Sequence, residues 1–442
     1  MNVFLVSMGC AKNGVDSERL AGLLAVSGHK IVASLEDAQV ALINTCGFIQ
    51  EAVKENVDAI LELELLKEQG KLKKIIVAGC LVDRYEAELR QELPSVDFWA
   101  KAEDWDRIAD FLGKETFAPS NCRALLPEGR VWTRYLKVGE GCDTSCSYCT
   151  IPMIRGRLRS VSIPRLTDEA RDLCAAGARE ICLVGQDLTA YGKDLYGEPV
   201  LEKLLTALNG ALPAGTWIRL LYLHPSRVTR NFLDFLSKTE KILPYLDIPI
   251  QHIDEAILTA MNRPPDAAHI REVFALARAM DPLFALRTTV MVGFPGETEE
   301  RFLRLLEFLK EAQIDRVGAF VFSPEEGTKA ALLPEQVPDE VKEERRGRLM
   351  ELQSHISLER NSLFMGRTLS VLVEEADSEN GLALGRSYRD APEVDGMVCV
   401  NNGAGLVPGT FVDVMVSDCA EHDLFGSAVL RKKTRVSKGL VP

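Results

Sequence analysis

Short apolar runs that alternate with helix-patterned segments constrain the fold of this chain more than any other feature. Near the N-terminus, Val3-Phe4-Leu5-Val6, Val40-Ala41-Leu42-Ile43-Asn44 and Lys74-Ile75-Ile76-Val77-Ala78 read as buried strands separated by helical spacing. Apolar strands that alternate with helices predict a parallel sheet covered on both faces. We therefore expect an open parallel α/β sheet in an N-terminal domain of residues 1–122.

The same alternation continues in a central domain, which we expect over residues 130–362. Six strand candidates occur there, at residues 135–139, 181–185, 217–223, 245–250, 286–293 and 316–322. Six strand–helix units predict a partial (β/α)6 barrel, which resembles the eightfold barrel without completing it.

The pattern then changes to short alternating strands separated by turn residues such as Glu379-Asn380-Gly381, Asn401-Asn402-Gly403 and Pro408-Gly409. This pattern predicts a small β-barrel over residues 366–431, followed by a solvated tail over residues 432–442. A chain of 442 residues suits about three such domains.

The eleven cysteines require an explanation. No apolar run is long enough to cross a membrane, and the N-terminus lacks the pattern of a signal peptide, so we expect a cytoplasmic protein without a membrane partner. Thiols stay reduced in that compartment, which disfavours disulfides. Each cysteine is then either a small buried apolar side chain or a metal ligand.

Three cysteines lie within eight residues, in the spacing Cys142-x3-Cys146-x2-Cys149. A short loop can bring three thiolates onto one metal centre at little entropic cost. A closed zinc site needs four ligands, and no fourth Cys or His lies nearby. Three ligands on a four-iron cluster would leave one iron open to a small molecule.

This loop resembles the signature of the radical S-adenosylmethionine superfamily, with the aromatic Tyr148 just before the last cysteine. The resemblance implies that the open iron of a 4Fe-4S cluster binds the amino and carboxylate groups of S-adenosylmethionine. An electron, which some donor must supply, then cleaves the sulfonium and releases a 5′-deoxyadenosyl radical. The resemblance also implies contacts with this cofactor from five residues: Tyr148, Gly185, Gln186, Asp187 and Gly293.

Some of these positions also have purely structural interpretations. Asp187 suits a helix N-cap, and residues 293–297 alone would be a tight strand-to-helix turn. His224 and His252 end strands and could face the barrel cavity, but hydrogen-bonded structural histidines are equally expected there.

Cys10, Cys46 and Cys80 each follow one of the three N-terminal strands. The carboxyl ends of parallel strands line one edge of a sheet, where ligands bind, so these thiols could converge on one point. The alternative is three buried core cysteines. The remaining cysteines match neither set and are interpreted as unliganded: Cys122, Cys174, Cys182, Cys399 and Cys419.

Over about residues 1–430 the chain resembles the methylthiotransferase family of radical S-adenosylmethionine enzymes. Its members carry Met-Gly-Cys, Asn-Thr-Cys and Gly-Cys after three N-terminal strands, matched here by Met8-Gly9-Cys10, Asn44-Thr45-Cys46 and Gly79-Cys80. The resemblance implies a second 4Fe-4S cluster that carries the sulfur or methylthio group, with one S-adenosylmethionine supplying the methyl and another the radical. The C-terminal module resembles a TRAM domain, which binds RNA in many relatives.

Members of this family modify either a transfer RNA adenosine or an aspartate in small-subunit ribosomal protein twelve. Residues 247–252, 323–328, 391–396 and 423–426 resemble the ribosomal-protein branch. The net charge is −13, and residues 366–430 hold three arginines against eleven acids, a net −8. Such a surface would repel phosphates and attract a basic ribosomal protein. We therefore predict methylthiolation of the β-carbon of that aspartate, without nucleic acid binding for substrate recognition.

Two alternatives and one local question stay open. The chain could act on transfer RNA by the same chemistry, or could be a non-catalytic iron–sulfur carrier, although carriers more often use four cysteines per cluster. Relatives follow the first cysteine set with Arg-Gly and then Ser-Arg, whereas here Arg155-Gly156 is followed by Ser160-Val161. It is therefore open which of Arg155, Arg157 and Arg159, if any, meets the substrate carboxylate. The alternative is that the three form a solvated basic stretch.

Overall fold

The N-terminal sheet has five parallel strands in the order β2-β1-β3-β4-β5. The computed structural model describes residues 1–102, 104–113, 123–127 and 129–429. The strands are β1 (Asn2–Ser7), β2 (Lys30–Val32), β3 (Val40–Thr45), β4 (Lys74–Gly79) and β5 (Phe98–Ala100). The three predicted strands are therefore present, and two three-residue edge strands join them.

Helices cover both faces of this sheet: α1 (Ala11–Val26), α2 (Gln50–Glu68), α3 (Cys80–Glu92) and α4 (Trp105–Phe111). Alternate residues of β3 point to opposite faces, so Leu42 packs in one core with α1 and α4, and Ile43 packs in the other with α2 and α3. Every residue of β3 is buried, which explains its continuous apolar sequence.

Six parallel strands form the central partial barrel: β6 (Thr133–Lys137), β9 (Glu180–Val184), β10 (Trp217–Leu220), β11 (Tyr245–Asp247), β12 (Ala285–Val292) and β13 (Arg316–Val321). They form two sheets, in the orders β10-β9-β6 and β11-β12-β13. A single parallel bridge between Ile218 and Ile242 connects the two sheets. The strands thus follow chain order. A small antiparallel pair, β7 (Gly139–Glu140) and β8 (Arg159–Ser160), flanks the cysteine loop.

Nine helices accompany these strands within the described part of the chain. The three shortest lie in loops: α5 (Ile151–Ile154), α7 (Lys193–Tyr196) and α10 (Glu255–Ala260). The others are α6 (Ile163–Ala175), α8 (Leu201–Ala211), α9 (Arg230–Lys238), α11 (Ala267–Met280), α12 (Glu299–Ala312) and α13 (Asp339–Ser362). No helix among the described residues combines the length and apolarity needed to cross a bilayer.

The C-terminal module is a closed five-stranded barrel in the order β14-β15-β16-β18-β17. Its strands are β14 (Thr368–Asp377), β15 (Leu382–Arg386), β16 (Val398–Val400), β17 (Phe411–Cys419) and β18 (Leu424–Ala428). The three predicted turns fall between these strands. The expected linker near residues 118–121, Cys122 and the expected tail lie outside the described residues.

A loop of the module, residues 386–395, inserts into the N-terminal end of the partial barrel. Tyr388 and Ala391 pack with the barrel residues Cys182, Tyr245 and Ala285. This contact joins the module to the inside of the barrel rather than to its outer surface.

Buried ion pairs accompany this insertion. The Arg386 guanidinium lies 2.6 Å from both Glu180 of β9 and Glu374 of β14, and Arg219 of β10 lies 2.6 Å from the other oxygen of Glu180. Burial alone would raise the pKa of Glu180, but Arg386 and Arg219 lower it to about 2. Glu180 is therefore a buried carboxylate that two arginines hold in its charged form.

The insertion corrects the charge count made from the sequence, because not all of the counted groups lie on the surface. Glu374, Asp390 and Asp395 have buried side chains that pair with Arg386, Arg316 and Arg287. Among the described residues of the module, the exposed charges are Arg367 against six acids: Glu375, Asp377, Glu379, Glu393, Asp418 and Glu421. The exposed surface is thus acidic, though less so than the count of −8 suggested.

We expect Glu180→Gln to destabilise the protein by about 3–5 kcal/mol, because it leaves two buried arginines without their shared carboxylate. The measurement is denaturant-induced unfolding of the metal-free protein. Glu198→Gln is the matched control, since Glu198 and Lys203 form a pair in which both side chains are 67% exposed. This control should lower the free energy of unfolding by less than about 1 kcal/mol. Equal losses in the two variants would contradict the assigned role of Glu180.

Candidate functional site

The ends of β1, β3 and β4 bring Cys10, Cys46 and Cys80 together, as the strand pattern predicted. These strands are neighbours in the sheet, and the thiols are close enough that Cys10 raises the pKa of Cys46, while Cys46 and Cys10 raise the pKa of Cys80. Gly9, with a φ of +90°, permits the approach, because a Cβ there would lie 2.6 Å from the Cβ of Cys46. We refer to these three cysteines as the N-terminal trio.

Polar side chains of α1 hold this edge of the sheet. The amide of Asn13 donates to the carbonyl oxygens of Met8, at 3.0 Å, and Thr45, at 2.9 Å. The amide of Asn44 donates to the Ser17 hydroxyl at 2.9 Å. These bonds tie the ends of β1 and β3 to one helix and so fix the spacing of the cysteines.

Sequence reasoning missed these residues, although a signal was present. Asn13, Asp16 and Ser17 occupy the same helical stripe as the core residues Leu20 and Leu24, and all five are buried. Polar residues on an apolar stripe need partners inside the protein, which distinguishes them from surface residues of the same type.

Arg155 connects the N-terminal trio to the barrel. Its Nε donates to the Cys80 sulfur at 3.1 Å and its Nη2 donates to Asn13 at 2.7 Å. Its Nη1 lies 3.3 Å from Asp16 and 3.2 Å from Glu140. Burial raises the pKa of the Cys80 thiol to about 11, and Arg155 opposes that rise by favouring the thiolate.

A lysine completes this buried cluster. The Lys137 ammonium, at the end of β6, pairs with Asp16 and lies 2.8 Å from Glu140. Burial would raise the pKa of Glu140, yet Lys137 and Arg155 lower it to about 2. The cluster therefore contains two carboxylates and two cations from both domains.

Cys142, Cys146 and Cys149 lie in the loop between β7 and α5, and we refer to them as the loop trio. The Thr144 amide donates to the Cys142 sulfur at 3.3 Å, and the Cys149 amide donates to the Cys146 carbonyl at 3.2 Å. Burial, together with the neighbouring Cys146 and Cys142 thiols, raises the pKa of Cys149 to about 12. Three mutually repelling thiolates need a cation to stabilise them.

The chemistry of both trios fits a metal–sulfur cluster. Within the described residues, no three His, Cys, Asp or Glu side chains converge closely enough to hold a single metal ion. A cluster of several iron and sulfur atoms is larger than one ion, so the thiolates that ligate it stand further apart. Soft thiolate ligands select iron–sulfur clusters among the larger metal groups.

Three of the residues predicted to contact S-adenosylmethionine follow β9, and the side chains of Gln186 and Asp187 already have partners. Gln186 donates to Glu140 at 2.6 Å, while its own buried carbonyl oxygen has no partner among the described residues. Asp187 accepts from the Thr189 amide at 3.0 Å and pairs with Arg227. The N-cap interpretation of Asp187 therefore matches its contacts. Gly185 precedes them, where an added Cβ would lie 3.4 Å from Leu188.

Tyr148 lies within the cysteine loop and packs against the turn that contains Gly293. The partly buried Tyr148 ring makes an edge contact with Phe294, with ring centroids 6.5 Å apart. Gly293 has a φ of +72°, and a Cβ there would lie 2.2 Å from the Lys342 side chain. The tight turn predicted at residues 293–297 thus exists and packs against α13.

The two histidines differ in their surroundings. The buried His252 accepts from the Asp254 amide at 2.9 Å, and its Nε2 lies 3.2 Å from Glu297, so it is a structural histidine. His224 contacts Ser226 at 2.8 Å, and its buried Nε2 has no partner among the described residues. Burial and then Arg263 lower the pKa of His224 to about 4, so its ring is neutral at pH 7.

A cleft of about 520 Å³ opens where the three domains meet. Its lining includes Cys10 of the N-terminal trio, Tyr135 of the barrel, and Glu374 and Glu393 of the C-terminal module. Cys10 is the exposed member of its trio, whereas Cys80 is buried. The N-terminal trio is therefore accessible from a surface that all three domains build.

Comparisons with known proteins agree with this architecture. Three family models match: the uncharacterized protein family UPF0004 over residues 2–101, the Radical SAM superfamily over 136–309 and the TRAM domain over 365–429. A solved radical S-adenosylmethionine methyltransferase, TsrM from Kitasatospora setae, has a similar fold, with a TM-score of 0.54 and 13% identity, covering 89% of this chain and 82% of that one. At this identity the similarity concerns the fold alone.

Curated relatives match nearly the whole chain. "Ribosomal protein uS12 methylthiotransferase RimO" of Geobacter sulfurreducens is 42% identical over 97% of this chain and 98% of its own length. The proteins of the same name in Pelotomaculum thermopropionicum and Aquifex aeolicus are 43% and 42% identical, over 97% and 96% of this chain and 100% and 97% of their own lengths. The chain uses an iron–sulfur cluster and S-adenosylmethionine, and it belongs to the RimO family of radical S-adenosylmethionine methylthiotransferases.

Proposed function

We infer that this enzyme adds a methylthio group to the β-carbon of an aspartate in small-subunit ribosomal protein uS12. We further infer that it uses two 4Fe-4S clusters, one ligated by the loop trio and one by the N-terminal trio. The observation that carries this proposal is the presence of two separate groups of three thiols. A buried ion cluster around Arg155 links these two groups.

The chemistry requires a cofactor radical, because hydrogen on an unactivated carbon is not acidic enough for a side-chain base. When bound at the loop trio, the cluster and S-adenosylmethionine supply that radical. The buried carbonyl oxygen of Gln186 has no partner among the described residues, which suits the ammonium of S-adenosylmethionine. Tyr148 and the turn at Gly293 suit the adenosyl part, since they form an apolar wall with Phe294.

Three thiolates rather than four support catalysis over electron transfer, because each cluster would keep one iron open. This argues against a non-catalytic carrier. An external electron donor is required, and because the proposed substrate is a ribosomal protein, the enzyme would work in the cytoplasm. The acidic exposed surface of the C-terminal module, with six exposed acids against Arg367, suits a basic protein better than the phosphates of transfer RNA.

Serine variants of the two trios should have different effects. We expect Cys149→Ser to abolish the release of 5′-deoxyadenosine from S-adenosylmethionine. Cys80→Ser should retain that cleavage and lose methylthiolation, because only the second cluster is removed. Each variant should hold about half the iron of the wild type after anaerobic reconstitution. The measurements are iron content, 5′-deoxyadenosine release and product formation.

Cys174→Ser is the matched control, since Cys174 is a partly exposed cysteine outside both trios. It should behave as the wild type in all three measurements. Full methylthiolation by Cys80→Ser would disprove the second cluster.

The substrate is tested by anaerobic turnover with uS12 and with transfer RNA in parallel, followed by mass spectrometry of both. We expect the methylthio adduct on the protein, and none on a uS12 variant in which asparagine replaces the target aspartate. An adduct found only on transfer RNA would overturn the substrate assignment and leave the family chemistry intact.

A further inference from the structure

A substrate aspartate carries its negative charge one bond from the carbon that reacts, so its carboxylate needs a cationic partner inside the enzyme. The three arginines considered from the sequence are engaged elsewhere. Arg155 contacts Cys80, Asn13, Asp16 and Glu140. Arg157 is 93% exposed and lies 3.7 Å from Asp143, and Arg159 is exposed and has a partner of its own.

Lys12 lies between the two trios. It belongs to the first turn of α1, two residues after Cys10, and its Nζ lies 4.6 Å from the centroid of the Tyr222 ring, which follows barrel strand β10. Tyr222 stands at the carboxyl end of its strand, the same end of the barrel that carries the cysteine loop after β7. Lys12 therefore lies between the N-terminal trio and the end of the barrel that holds the loop trio.

The Lys12 ammonium has no anionic side chain as a partner. It makes no hydrogen bond or ion pair with any residue that the structure describes, apart from its cation–π contact with Tyr222. The carboxylate that acts on it electrostatically, Glu140, is already held by Lys137 and Arg155. Lys12 is partly buried and keeps some accessible surface.

The neighbour of Lys12 supports a binding role. Tyr222 adopts a φ of +66°, a conformation that non-glycine residues rarely adopt, and its ring lies under the ammonium. An aromatic face stabilises a cation without neutralising it, so the charge stays available to an anion. An unpaired cation inside a protein lowers the stability of the fold, because it has lost water without gaining an anion. A ligand carboxylate would supply that anion.

We propose that Lys12 binds the side-chain carboxylate of the substrate aspartate, with Tyr222 positioning the ammonium between the two cysteine trios. This inference rests on the proposed function. It makes Lys12 a specificity residue: it would select aspartate over the isosteric but uncharged asparagine, and it would hold the β-carbon between the source of the radical and the source of sulfur.

The test compares two synthetic peptides that span the target loop of uS12, one with aspartate and one with asparagine at the target position. Affinity is measured by fluorescence anisotropy on the anaerobically reconstituted full-length enzyme, so the readout does not depend on turnover. We expect the wild type to bind the aspartate peptide roughly tenfold more tightly, the usual size of a charge-assisted hydrogen bond. Lys12→Met should abolish this difference, and Lys12→Arg should restore part of it.

Lys54→Met is the control, because Lys54 is exposed on α2 and should leave the discrimination unchanged. Iron content should be equal in Lys12→Met and Lys54→Met. Three results would overturn the inference: Lys12→Met retains the tenfold preference, it lowers the affinity for both peptides equally, or it lowers the affinity for S-adenosylmethionine instead. A wild type that neither binds nor modifies the aspartate peptide would overturn the proposed function itself, and this inference with it.

Discussion

The buried ion cluster of Asp16, Lys137, Glu140 and Arg155 fixes the geometry on which the rest of the site depends. Its members come from α1, from the first barrel strand and its extension, and from the residue after the cysteine loop. Buried charges tolerate little displacement, because separating them in a medium of low polarity is strongly unfavourable. The N-terminal sheet therefore cannot rotate on the barrel without breaking these pairs, and the spacing of the two trios is set by electrostatics.

Much of the fold could be predicted because local patterns of apolar residues determine its strands. The six barrel strands and the strands before Cys10, Cys46 and Cys80 are apolar runs long enough to recognise. The edge strands β2 and β5 were missed because each has only three residues, and pairing with a neighbour defines them more than their own sequence does. The fold class and the family were predicted correctly.

The site was less predictable, since tertiary contacts decide the role of each charge. Arg155 was singled out from the sequence, but only the folded chain reveals that each of its three guanidinium nitrogens already has a partner. Likewise, the charge count of the C-terminal module included Arg386, Asp390 and other groups that turn out to be internal. Composition gives the total charge of a segment, whereas the fold decides how much of it reaches solvent. The contacts predicted for Tyr148, Gly185, Gln186, Asp187 and Gly293 with S-adenosylmethionine stay predictions.

The loop of residues 386–395 gives the C-terminal module a structural role inside the partial barrel. It fills the end of the partial barrel opposite the cysteine loop, where Arg219 and Glu180 would otherwise meet water. The module thereby closes this end of the partial barrel to solvent, opposite the end that carries the loop trio. One consequence is evolutionary. Another small β-barrel could replace this module only if it also carried a loop that fills this end of the partial barrel.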